Sequence, residues 1–209
     1  DGVSLSRVLK RMRLQKRPFP IPIAVYIARC LADGLHAAHQ TTDREGRPLE
    51  IVHRDATPHN VLVGRRGHVK LIDFGISRAT EQSDGLLRSS VPTQDGLIIG
   101  TPQYMSPEQA RGLKDIDLRT DIYSTGVILY EGLTGELPFD DEHVGDLIIS
   151  ICSSAAAPIS TLRPDLGQPI SDVVERAMAR KPEGRYQTAR EMNEALREAV
   201  ETIARSSTT

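Results

Sequence analysis

The sequence predicts a mainly α-helical domain with a small β-hairpin region set into its first half. Three observations carry this reading. Apolar residues recur at helical spacing in six stretches, short β-branched runs flank a Gly-Arg-Arg-Gly turn, and the composition suits one packed core. Hydrophobic residues make up 39% of the 209 positions and charged residues 26%, which excludes a disordered or fibrous chain. A formal net charge of -2 gives no overall pull toward nucleic acid or an anionic membrane, so neither is expected as a partner.

Taken in order, Ser4 is placed to cap a short helix reaching about Arg13, and three prolines break the pattern between Lys16 and Pro22. From Ile23 to His39 the positions Ile23, Ile27, Leu31 and Leu35 mark the core face of a longer helix. A polar loop over Thr41 to Pro48 leads to a short strand expected at Leu49 to Val52. Val61 to Val63 and Val69 to Ile72, joined by Gly64-Arg65-Arg66-Gly67, form the hairpin. Residues Ser77 to Gly100 have no period and read as a long loop. Helices follow at Arg119 to Thr134, His143 to Cys152, Ser171 to Arg180 and Thr188 to Ala204.

Two cysteines, Cys30 and Cys152, stand far apart and outside any Cys-x-x-Cys pattern. They are expected as reduced, buried thiols, with neither a disulfide framework nor a zinc site. No apolar run is read as reaching the roughly 18 to 20 residues that span a bilayer, and the start lacks a signal-peptide pattern, so a cytoplasmic location is expected. The abrupt beginning at Asp1, without Met and directly before a helix signal, reads as part of a longer protein. The basic cluster Arg7, Lys10, Arg11, Arg13, Lys16 and Arg17 is expected to be a solvated face, and His36 with His39 to lack the further ligands of a metal site.

The chemistry concentrates around the hairpin. His53-Arg54-Asp55-Ala56-Thr57-Pro58-His59-Asn60 precedes it, Asp73-Phe74-Gly75 follows it, and Ser106-Pro107-Glu108 closes the long loop. In that order these runs match H-R-D-x-x-x-x-N, D-F-G and a variant of A-P-E. The chain therefore resembles the large C-terminal lobe of a protein kinase, with bacterial kinases of the eukaryotic type as the nearest subgroup. The resemblance divides residues 1–209 into a catalytic loop (53–60), a magnesium loop (73–75), an activation segment (73–108) and a helical subdomain (109–209), with the small lobe absent.

The resemblance also implies roles. Asp55 orients or accepts the proton of the attacking hydroxyl, Asn60 and Asp73 hold Mg²⁺ against the phosphates of ATP, and Leu62 lies under the adenine ring. His53, Phe74, Glu108, Asp121 and Arg185 are structural: Asp121 holds the catalytic-loop backbone, and Glu108 pairs with Arg185 in a buried ion pair. The segment Gly100-Thr101-Pro102-Gln103-Tyr104-Met105-Ser106-Pro107-Glu108 is similar to the substrate-docking segment of serine/threonine kinases, with Thr101 at the docking position. Thr57 departs from the family, which usually carries a phosphate-neutralising lysine there. Arg54, directly before Asp55, implies switching by a phosphate in the activation loop, for which Thr93 is the expected acceptor. The expected activity is transfer of the γ-phosphoryl of ATP to Ser or Thr of protein substrates. The alternative is a pseudokinase or scaffold lobe that binds partners without turnover.

Overall fold

The structure, a computed structural model, describes residues 2–74 and 101–206. A strand β1 (Gly2–Ser4) runs straight into helix α1 (Leu5–Leu14), and the long helix α2 (Ile21–His39) follows. Strands β2 (Val61–Gly64) and β3 (Val69–Leu71) form the expected hairpin, and β1 adds to β2 in an antiparallel sheet of order β1-β2-β3. Beyond residue 100 come α3 (Pro107–Ala110), α4 (Arg119–Thr134), α5 (Val144–Ser153), α6 (Ile159–Leu162), α7 (Gln168–Ala177) and α8 (Ala189–Ser206).

Helix α4 is the axis of the molecule. Its residues Thr120 to Leu133 are all buried, because α2 and α7 pack against it and α8 closes over both. A helix buried on every side has no polar face, and the low amphipathicity of its sequence reflects that. Gly126 is where α7 comes nearest: a Cβ there would lie 2.9 Å from Met178 Cγ and 3.0 Å from Ala177 Cβ. Gly135 ends the helix in the left-handed conformation (φ 82°), its N–H bonded to Glu131 O at 2.7 Å. One apolar cluster joins α1, α2, β2, α4, α6, α7 and α8, and a smaller one of Phe139, Leu147 and Ile151 seats α5.

Several details differ from the sequence reading. Residues 49–52 form no strand: the nearby bridge among the described residues is Thr42–Pro48, Glu50 turns left-handed (φ 47°), and no described strand pairs with this stretch. Gly2 to Ser4 is a strand instead, since β2 offers it a free edge. Ser4 holds the N-cap position of α1 but makes no cap bond, because its hydroxyl meets Ser6 Oγ at 2.9 Å. Both cysteines are free and half-buried, not buried. Helix α2 is, by length and composition, apolar enough to cross a membrane, but Ala28, Leu31 and Leu35 are at most 1% exposed within the core. The basic residues of the α1 region are exposed as expected.

Candidate functional site

The site is built outward from Asp121 in the first turn of α4. Its carboxylate is fully buried and accepts three hydrogen bonds: Oδ2 from His53 N–H at 2.9 Å, Oδ1 from Arg54 N–H at 2.8 Å, and Oδ2 from His39 Nε2–H at 2.9 Å. Two of these hold Arg54 in a left-handed conformation (φ 65°) that a non-glycine residue adopts at a cost of order 1–3 kcal/mol. The carbonyl of Arg54 is held as well, accepting from Gln109 Nε2 at 2.7 Å. Gln109 is itself fixed by the Ser106 cap of α3 and by Thr120 Oγ1, which donates to Gln109 Oε1 at 2.9 Å. Thus α4 and α3 clamp the peptide that precedes Asp55.

Asp55 and Asn60 are brought together directly. Asn60 Nδ2 donates to Asp55 Oδ2 and to Asp55 O, both at 2.9 Å. Asp55 Oδ1 and Asn60 Oδ1 accept no hydrogen bond from the described residues. Asp73 is placed by its neighbours. Ile72 N–H donates to Asn60 O at 2.8 Å, His53 Nε2–H donates to Ile72 O at 3.0 Å, and the His53 ring packs edge-on against Phe74 with centroids 4.7 Å apart. His53 Nδ1 in turn accepts from Asp55 N–H at 3.3 Å, which fixes the tautomer. Asp73 sits between the two residues that His53 holds, exposed and left-handed (φ 58°).

The donor set fits a hard divalent cation. One carboxylate and one amide oxygen suit Mg²⁺, which keeps several waters and is completed by substrate phosphates instead of a full protein cage. Among the described residues no three His, Cys, Asp or Glu side chains converge, so such a cage is absent there. Thr57 is buried at the next turn of the loop, and Leu62 is half-buried in β2 opposite Ser4 and Lys70.

Glu108 and Arg185 meet in a two-pronged pair, Nη1 to Oε1 at 2.6 Å and Nη2 to Oε2 at 2.7 Å. Arg185 is 0% exposed and also donates to the carbonyls of Ala179, Arg119 and Arg180. Burial pushes the Glu108 carboxyl up, but the hydrogen bonds and charge of Arg185 outweigh it and hold the group below its ordinary value. The Thr101 hydroxyl lies 3.4 Å from His59 Nδ1, and Thr101 lines a hollow together with Tyr104 and Glu131. There Glu131 is paired with Arg13 and accepts from the Tyr104 hydroxyl, whose titration is pushed far up by burial and then by the Glu131 charge.

Sequence reasoning missed His39 and Gln109. A lone histidine at a helix end and a glutamine two residues past Pro107 carry no local sign of partners 82 and 55 positions away. Thr93 and Gly75 lie outside the described residues.

Residues 1–197 match the family model for the protein kinase domain. The chain is 38% identical over 202 residues to the tyrosine-protein kinase MasK of Myxococcus xanthus, covering 97% of this chain and 29% of the relative. It is 38% identical over 183 residues to the serine/threonine-protein kinase PknB of Mycobacterium leprae, with 86% and 26% covered. For PknB of Mycobacterium tuberculosis the values are 36% over 196 residues, with 94% and 28% covered. The chain thus spans less than a third of the length of these relatives.

Proposed function

The chain belongs to the protein kinase domain family, and on that premise we propose that it supplies the large lobe of a serine/threonine kinase that transfers the γ-phosphoryl of ATP to protein hydroxyls. The observation that carries this is the Asn60 clamp on Asp55, which fixes one carboxylate oxygen and leaves the other for an incoming hydroxyl.

In this reading Asp55 Oδ1 accepts the proton of the acceptor hydroxyl as its oxygen bonds to the γ-phosphorus and the bond to the β-phosphate oxygen breaks. Asn60 Oδ1 and the Asp73 carboxylate are the groups that would hold Mg²⁺, which when bound neutralises charge on the phosphates. Leu62 underlies the adenine. Positioning supplies most of the catalysis in such transfers, and the hydrogen bonds that Asp121 accepts and Gln109 donates serve it by fixing the turn before Asp55. Thr101 docks the acceptor segment.

The acceptor class rests on residues 100–108, which are similar to the docking segment of serine/threonine kinases. One relative is named a tyrosine kinase and the PknB relatives are named serine/threonine kinases, so the product decides. One observation favours a scaffold reading: Thr57, buried, stands where the family's phosphate-neutralising lysine is expected. A hydroxyl supplies no charge there. The retained Asp55, Asn60 and Asp73 speak for catalysis, because a scaffold needs none of them for its chemistry.

The test is phosphoamino-acid analysis after incubating the full-length protein with Mg·ATP and a mixed protein substrate. Phosphoserine or phosphothreonine is expected. Phosphotyrosine alone would overturn the acceptor class, and no transfer at all would favour the scaffold.

A further inference from the structure

Away from the catalytic loop, a cavity of about 360 Å³ opens between α4, α5, α7 and the segment 154–158. Its wall is largely apolar, with Phe139, Ile151, Ile159 and Met178 among the lining residues. This lies in the size range of pockets that bury small ligands. Tyr123 of α4 also lines it, is 2% exposed, and has a hydroxyl that donates to no described group. The other phenol in the wall, Tyr130, donates to Ala157 O at 3.0 Å. The Tyr123 hydroxyl oxygen reaches the cavity space instead of being sealed in the core, so a ligand acceptor can bond it in place of solvent. Burial, the dominant influence, pushes that phenol up, so it stays a donor at neutral pH.

The rim supplies charge. Arg180 Nη2 donates to the carbonyls of Ser153 and Ser154 at 2.7 and 3.0 Å, which hold the guanidinium at the mouth. Its remaining N–H groups meet no described acceptor, and its charge acts on the Tyr123 phenol, favouring the ionised form. Glu175 and Arg180 are both exposed at the rim, so water screens both charges, and Arg180 acts through its oriented N–H groups more than through its net charge.

We propose that this cavity binds a small amphipathic monocarboxylate, its apolar body against Phe139, Ile151 and Met178 and its carboxylate accepting from Tyr123 Oη and Arg180. Such a ligand would brace more than its own pocket. The Tyr123 ring lies under the Arg185 guanidinium, 4.9 Å from its centroid, and Pro107, next to Glu108, lines the same cavity.

Octanoate is the probe. Titrated into the full chain, it should bind saturably and raise the melting temperature with concentration. Tyr123→Phe, which removes only the hydroxyl, should weaken binding about tenfold, and octan-1-ol, with the same body but no charge, should bind at least about tenfold more weakly. Ala155→Trp on the exposed segment should block the mouth without disturbing the core. Three results overturn the proposal: no saturable binding of octanoate, binding unchanged by Tyr123→Phe or by Ala155→Trp, or octan-1-ol binding as tightly as octanoate.

Discussion

Asp121 is one carboxylate that three partners share: the His53 and Arg54 amides and the His39 ring. Asp121→Ala would leave those buried donors unmet, and we predict a loss of at least about 2 kcal/mol in urea unfolding, with transfer activity falling further than the lost folded fraction explains. The Glu108–Arg185 pair gives a second residue-level expectation. Glu108→Ala leaves the 0%-exposed Arg185 uncompensated, so stability should drop by about 3–5 kcal/mol. The acid dependence has a definite sign. The folded carboxyl titrates below its ordinary 4.5, so its contribution is fully present above that value and is lost as pH falls through the lowered one. Unfolding followed from pH 7 into the acid range should show a shallower loss for Glu108→Gln than for wild type. At this scale the candidate site residues stand out in the sequence because they form ordered motifs around a hairpin. His39 and Gln109 were not, since what gives them meaning is a bond to an element far away in the chain. His39 was weighed instead as half of a metal pair, and the structure turns it to Asp121.

Among the elements, α4 was readable to the residue at both ends, although helical spacing alone says nothing about which neighbours bury it. Gly126 shows what the spacing left out. As a helix-interior glycine it costs stability, and Gly126→Ala would gain up to about 1 kcal/mol of propensity. The new Cβ would meet Ala177 Cβ at 3.0 Å, an overpacking cost of about 1–3 kcal/mol. The expected net result is a destabilisation of about 1 kcal/mol in the same urea assay, and a more stable variant would show that α7 yields easily. The strand expected at 49–52 failed for a different reason: Leu49 to Val52 has strand-forming residues but no partner among the described residues, and Leu49 stays 49% exposed. Strand β1 succeeded on three residues because β2 stood open beside it. Pairing partners are a tertiary property, and the local sequence does not contain them.

For the whole molecule, the larger apolar cluster explains why these distant pieces act together. The same cluster buries α2, which carries His39, and holds Val61 of the hairpin, while the loop 53–60 hangs from α4 and α3. Mainly helical architecture with an inserted hairpin was legible from periodicity and composition, whereas the apolar length of α2 was underestimated because Arg29 and Asp33 interrupt it; both are tied to Asn193 of α8. The central claim is that Asp55, held by Asn60, serves phosphoryl transfer. The measurement that tests it most directly is kcat for phosphate transfer from Mg·ATP by the full-length protein and its Asp55→Asn variant, with folding of both checked by thermal unfolding. A fall of about 100-fold or more at unchanged stability is the predicted result, and an equal kcat for the two proteins would contradict it.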